Sequence, residues 1–339
     1  MSEPMGGSTF NVRRWTTFAG PLLWLVLVFC LFWGADAYRK SSQGVGGKFS
    51  SISSLQTVGR NASLVGVAAL GMTLVIIAGG IDLSAAATAA LSATVSAWFF
   101  RAGYPAVVGV SAAIFTGVAC GFCNGALISW LRVVPFIITL GTMTIFRGIG
   151  SEISNETPIR AFGKLPDWLV MLQEPTPNPE WLLVTPGVWV MVGLALIVGA
   201  ILHFTVFGRH VFAIGSNEAT ARLCGINLTR TRLTVYALSG LFCGIAGLYT
   251  LANLSEGNPH ALPGRELDII AAVVIGGGSL NGGRGSVLGT LSGALLMEVI
   301  RHGCRTLNVP TPYQQIIIGV IVIVAVTLDQ VRQRRVSRS

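Results

Sequence analysis

Two cysteines three positions apart, Cys120 and Cys123 in ACGFCNGA, have the spacing of a redox or metal-binding pair, and His203, His210, His260 and His302 could serve as bases or ligands. Neither group assembles into a site. A structural zinc centre takes about four nitrogen or sulfur ligands, and no histidine or second cysteine pair stands near Cys120. There is no HExxH, and spacing alone sets up no pair of carboxylates sharing a groove. The glycine-rich VVIGGGSLNGGRGSVLGTLSGALL, residues 273 to 296, has the composition of a phosphate loop without its GxxxxGK[ST] order. No catalytic or metal-ligating residue is assigned, and the chain is not expected to be an enzyme.

What remains is polar chemistry set in apolar surroundings. In IIAGGIDLSAAATAALSA, Gly79 and Gly80 end one helix cheaply, and Asp82, followed by Ser84, can cap the next. Backbone broken at membrane depth must be covered by protein or face a cavity, so Asp82 and Ser84 are candidates for a translocation path or its gate. The plainer alternative is a cap at the cytoplasmic surface with no solute contact. Asn124 in CGFCNGALI and Asn253 in YTLANLSEG join them as candidates, against the alternative of packing hydrogen bonds between helices. Glu256, His260 and Arg265, with Glu266 and Asp268 beside them, fit either a docking rim or an ordinary solvated loop. The 273–296 stretch reads as a re-entrant turn between short helices, and Gly285-x-x-x-Gly289 followed by Gly293 permits close helix approach.

The elements that must position these groups are membrane helices. Only 11% of the 339 residues are charged and 52% are hydrophobic, where a soluble chain carries about a quarter charged residues. Apolar windows near the length of a bilayer crossing fall at roughly 17–35, 54–80, 83–100, 106–129, 133–150, 186–207, 233–254, 267–278, 285–300 and 313–328. The expected fold is an all-α integral membrane protein, a polytopic bundle of about ten transmembrane helices, some broken or re-entrant. Forty-two glycines without a G-x-y period suit such packing and exclude a collagen-like chain. The net charge of +9 sits at segment ends, which argues for lipid and topology rather than nucleic acid. No secretory signal is read at the N-terminus: the apolar run Phe18 to Trp33 is followed by Asp36, Arg39 and Lys40 without a small-x-small cleavage site, so it is taken as a retained first span.

Charge bias orients the bundle. Residues 208–232 carry Arg209, Arg222, Arg230 and Arg232 against Glu218, and the tail carries Arg332, Arg334, Arg335 and Arg338 against Asp329; these and Arg13 and Arg14 are expected on the cytoplasmic side. This divides the chain into a cytoplasmic segment 1–16, a transmembrane domain 17–328 and a basic cytoplasmic tail 329–339. Residues 151–185, with Glu152, Glu156, Asp167, Glu174 and Glu180 and five prolines, read as an external loop, with Trp168, Trp181 and Trp189 as interface anchors. Arg39, Lys40 and Lys48 fall outside in this arrangement, against the positive-inside tendency, which leaves the boundaries within 35–100 open.

Within 208–232, AIGSNEATARLCGI looks like a short capped helix: Ser216 or Asn217 as cap, Glu218 in its first turn, Gly225 to end it. About seven residues cannot hold a helix in water unaided. Ala219, Leu223 and Ile226 offer an apolar face bordered by Arg222, to rest on the bundle, on lipid or on another protein.

GGIDLS, GRHVFAIGSNEATARLCGI, YALSGLFCGIAG and AAVVIGGGSLNGGRGSVLGTLSGALL, in this order, resemble the permease subunits of bacterial ABC importers for ribose and related monosaccharides, over about residues 60–328. The resemblance implies a multi-pass protein of the bacterial inner membrane with both termini cytoplasmic. It implies a second permease copy, a periplasmic sugar-binding protein and a cytoplasmic ATPase with two nucleotide-binding domains. ATP and Mg would belong to that ATPase, with no cofactor in this chain. The coupling helix would map to Gly215, Ser216, Asn217, Glu218, Ala221, Arg222, Leu223 and Gly225. Ser216 stands where the family usually has glycine, and Ala85 and Ala86 where it often has valine-glycine, which weakens inference about the particular sugar. An ion-gradient-driven secondary transporter and a noncatalytic scaffold or receptor are the rival readings of the same broken helices.

Overall fold

All ten apolar stretches form helices in the computed structural model, which describes residues 12–43, 49–176 and 182–336. The elements run α1 (Val12–Gln43), α2 (Ile52–Ile77), α3 (Ala85–Arg101), α4 (Ala106–Leu131), α5 (Pro135–Ser154), β1 (Ile159–Arg160), α6 (Asp167–Met171), α7 (Pro186–Phe204) and α8 (Val206–Ser216). They continue with α9 (Glu218–Leu223), α10 (Leu228–Leu254), β2 (Glu256–Gly257), α11 (Arg265–Ile275), α12 (Val287–Thr306) and α13 (Thr311–Val336). Lys48, Pro177, Pro179, Glu180, Trp181 and Arg338 lie outside the described residues.

Among the described residues six segments are long and apolar enough to cross a bilayer by themselves: Leu22–Ser42 within α1, and α2, α4, α5, α7 and α10. Three of the other expected spans fall short of this measure for physical reasons. The helix α3 has only 17 residues and α11 only 11, while α12 carries Glu298, Arg301 and Arg305. Helix also outruns the hydropathy limits at both ends. Arg39 and Lys40 belong to α1 rather than to a loop, and α13 continues to Val336, so much of the stretch read as a tail is helical.

Two helices form the centre. From Ala62 to Ile77 every residue of α2 except Leu64 is buried, and α10 is buried along most of its length. A helix apolar on all sides has no face to leave outside, so it is buried by its neighbours. By contrast α1 lies at the periphery, with Leu23, Trp24 and Trp33 exposed. Ser51 caps α2 by accepting from the Ser54 N–H, and Pro135 and Pro186 open α5 and α7 at the one helical turn that needs no donor.

The tightest helix pair is α4 with α10. Gly117, Gly121 and Gly125 repeat every four residues on α4, and a Cβ at Gly121 would collide with the Tyr236 carbonyl oxygen and at Gly117 with that of Gly240. The backbones therefore touch, as small residues allow in membrane helices. The glycine pattern read from sequence, Gly289 and Gly293, does the same for α12 against the Gly276 and Ala272 carbonyls that end α11.

At one end of the bundle, β1 and β2 pair antiparallel, Ile159 opposite Gly257 and Arg160 opposite Glu256, tying the 151–185 connection to the turn after α10. Trp168 and Trp189 are exposed at half or more of their surface. Below this tie an ionic cluster joins α2, α11 and α12. Asp268 and Glu298 are fully buried; Arg301 reaches Asp268 at 2.7 Å, Arg265 reaches Glu298 at 3.2 Å, and Arg305 and the Asn61 amide also meet Glu298. Two carboxylates at such depth persist because three guanidiniums and an amide replace their water.

Candidate functional site

The opposite end holds the short capped helix. Thr205 caps α8, its hydroxyl accepting from the Gly208 N–H at 3.1 Å. That helix runs through Gly215 and Ser216, so these two residues close α8 instead of opening the next helix. Asn217 then swings to φ −159°, ψ 107° and caps α9, its Oδ1 accepting from the Thr220 N–H at 3.0 Å. Asn217 rather than Ser216 is the cap. Gly225, at φ +80°, reverses the chain after Cys224, with its N–H on the Arg222 carbonyl at 3.0 Å. A second asparagine, Asn227, caps α10 through the Arg230 N–H at 2.9 Å.

The six-residue helix is held on one side. Ala221 is buried against Ile214, Leu228 and Ile226. Glu218 pairs with Arg222 at 3.3 Å and with Arg232 on α10. Ile226, expected on the outward apolar face, is thus packed inward: Gly225 turns the chain back before it can continue that face. The outward surface is Ala219, Arg222 and Leu223, with Leu223 88% exposed.

The two glycine-rich breaks reach this same end. In the first, between α2 and α3, Asp82, Ser84 and Asn124 come together and are all buried. Asp82 Oδ1 accepts from the Ser84 N–H at 2.9 Å and from its hydroxyl at 2.6 Å, and the Ser84 oxygen accepts from the Asn124 amide at 2.7 Å. Asp82 thereby holds the residue just before α3 and pins it, through Ser84, to α4. Thr139 at the start of α5 donates to the Ile81 carbonyl at 3.2 Å. Asn253 is not part of this group; it is exposed near the far end of α10.

At that far end, Glu256 lies in β2 and His260 faces Ser151 Oγ at 3.3 Å. Arg265 is turned inward, engaged by Asp268 and Glu298. Arg147 on α5 pairs with Glu266 at 3.4 Å beside a cavity of about 70 Å³ that His260, Pro259 and Ala87 help to line. Among the described residues no group of three His, Cys, Asp or Glu is placed to hold a metal, and Cys120 and Cys123 are free thiols on α4. Sequence reasoning missed the Asp268, Glu298 and arginine cluster, although an acid inside the 285–300 window was a visible signal. It also missed the glycine repeat on α4, which lay in the very segment read for its cysteines.

A bundle of apolar helices with a short helix offered outward beneath two broken spans defines a polytopic helical membrane protein. Over 93% of its length the chain shares its fold with a solved chain described as a metal-chelate type ABC transporter in an inward-facing conformation, at a TM-score of 0.51 and 18% identity, covering 98% of that chain. Residues 54–326 match the family described as the branched-chain amino acid transport system permease component. The chain belongs to that family, the non-catalytic membrane component of ABC transport systems. It is 38% identical over 292 residues to the ribose import permease of Escherichia coli, covering 84% of this chain and 88% of that protein. It is 35% identical over 299 residues to the fructose import permease of Rhizobium meliloti (84% and 80% covered) and 34% identical over 279 residues to the L-arabinose ABC transporter permease of Azospirillum brasilense (81% and 79%).

Proposed function

We propose that this chain is the permease of an ATP-driven importer of a monosaccharide, working as a pair of permeases. The outward-facing α9 carries the proposal: a helix too short to stand alone, anchored internally through Ala221 and Glu218, yet leaving Leu223 almost fully exposed. A cytoplasmic ATPase with two nucleotide-binding domains would cover it, with ATP and Mg held by that partner. The α9 end is then cytoplasmic, as are both termini, in the inner membrane of a bacterium, and all ten long or broken helices lie in the bilayer.

The end with the β1–β2 tie then faces the periplasm and receives a sugar-binding protein. Glu256 and His260 are the residues proposed for its rim; Arg265 contributes by fixing the ionic cluster beneath. Asp82, Ser84 and Asn124 serve as a gate support, since Asp82 Oδ1, the Ser84 hydroxyl and the Asn124 amide nitrogen engage one another within a buried group. A sugar rather than an amino acid is favoured by the relatives named for ribose, fructose and arabinose.

The test is uptake in proteoliposomes holding the permease, its ATPase and its binding protein, with a panel of labelled pentoses, hexoses and branched-chain amino acids. A pentose or hexose accumulates only with ATP inside the cytoplasmic-facing compartment. Accumulation by the permease alone under an ion gradient, or of amino acids only, would refute the proposal.

A further inference from the structure

Both broken spans meet Gly215, the penultimate residue of α8. The ideal Cβ of Gly215 would overlap the Ile77 carbonyl oxygen, at the C-terminus of α2, and would come within 2.5 Å of the Gly283 nitrogen. From the other side, a Cβ on Gly282 would stand 2.6 Å from the Gly215 oxygen and 2.9 Å from the Gly79 Cα, and one on Gly283 would stand 3.0 Å from the Ser216 Cα. The Gly283 N–H donates to the Ile77 carbonyl at 2.8 Å. Gly282 and Gly283 take φ of +84° and +72°, and Gly79 takes +80°. Only glycine enters that region at no steric cost. Three backbones far apart in sequence therefore meet with no side chain between them.

Contacts of this kind are stiff. A side chain can change rotamer to absorb a shift, whereas touching backbones, two of them joined by the Gly283–Ile77 hydrogen bond, have no such slack, and close-packed interiors transmit strain. One residue beyond Gly215 and Ser216 lies Asn217, the cap of α9. Three residues beyond Gly79 lies Asp82, which holds the start of α3, and Ser286, three residues beyond Gly283, caps α12 through the Gly289 N–H at 2.9 Å.

We infer that Gly215, with Gly79, Gly282 and Gly283, forms a rigid backbone junction through which displacement of α9 is passed undiminished to the starts of α3 and α12, making Gly215 a positioning residue for transport. This rests on the reading of α9 as the ATPase contact. It adds that the two breaks move with α8 and α9 as one body.

Two variants of the reconstituted complex test it. Gly215→Val forces the junction apart: sugar imported per ATP hydrolysed falls about tenfold, a coupling loss of ordinary size between sites, while ATP hydrolysis and recovery of the ATPase with the permease stay within about twofold of the parent. Ser216→Cys with Gly283→Cys, in a Cys224→Ser background, places Cβ atoms near the 3.2 Å now separating Ser216 from an ideal Gly283 Cβ, close to disulfide reach. After oxidation with copper phenanthroline, uptake by the cross-linked complex equals that of the reduced one, because the two loops do not slide. Cross-linked protein that stops transporting and recovers on reduction overturns the rigid junction, as does a Gly215→Val complex with parental coupling. Should Gly215→Val fail to accumulate, the cysteine pair decides: a reduced pair that hydrolyses ATP but imports less sugar per ATP than the parent shows the added Cβ at Gly283 forcing the same junction apart and supports the proposal, whereas a reduced pair with parental coupling that stops on cross-linking overturns it. Failure of the α9 reading shows differently, as an ATPase that does not co-purify with any form of the permease.

Discussion

Replacing Leu223 with aspartate lowers ATP-coupled uptake by at least about tenfold while leaving the permease folded in the membrane. The side chain is 88% exposed and makes no part of the internal cluster of Ala221, Ile214, Ile226 and Leu228. Its loss therefore costs the isolated chain little, since surface substitutions usually stay within about 0.5 kcal/mol. At a contact with the ATPase the balance reverses. A leucine seated in a partner's groove is exchanged for a carboxylate that must shed its water, and truncating or charging such an anchor costs about 2 kcal/mol or more, over tenfold in affinity. Ala221→Asp is the instructive counterpart. It places the charge on the buried side of the same helix, so it should reduce the amount of folded protein as well as uptake. Quantitative immunoblotting of membranes beside sugar uptake separates the two; equal protein loss in both variants would mean that Leu223 supports the bundle and not a partner.

The second large effect concerns the bundle's centre. Gly121→Leu should destabilise the permease by several kcal/mol, because the α4 backbone touches α10 at the Tyr236 carbonyl and no rotamer of leucine avoids it. Overpacking a well-filled core costs about 1–3 kcal/mol when neighbours can shift, and here the neighbour is backbone of a central helix. Gly193→Leu on α7 supplies the control, since a Cβ there meets nothing within 4 Å. Heating the detergent-solubilised proteins and measuring the monodisperse fraction by size exclusion should show Gly121→Leu lost at a clearly lower temperature, with Gly193→Leu close to the parent. Equal melting of the two would contradict backbone contact between α4 and α10.

These positions also mark how far sequence alone carries. The ten apolar windows were legible as helices, because apolar stretches must become helices where backbone groups find no water. The end of α9 was legible at Gly225, whose left-handed turn is a local requirement. Its beginning was read only to within one residue, since Ser216 and Asn217 are both good caps and only the course of α8 decides between them. The helix α8 itself passed unread, its 11 residues being too few to register as a span.

The larger omissions share a cause. Asp268 meets Arg301 from 33 positions away and Asn61 meets Glu298 from 237, separations that no local pattern encodes. The convergence of Gly79, Gly215 and Gly283 is of the same kind. Gly79 and Gly283 each signal a turn by themselves, but that both turns touch Gly215 near the end of α8 follows only from the packing of α2, α8 and the loop before α12. Asp82 and Asn124 were recognised as polar groups out of place, whereas their use of Ser84 as a shared bridge needed the geometry.

The most direct measurement places a photo-crosslinking amino acid at position 223 in the complex of permease, ATPase and binding protein, reconstituted and shown to import sugar. Illumination should join the permease to the ATPase subunit, with a yield that changes between nucleotide-free and ATP-bound states, while the same probe at position 193 yields no such product. A transporting complex in which position 223 never reaches the ATPase, and labels only lipid or the permease itself, would contradict the central claim that force enters the bundle through α9.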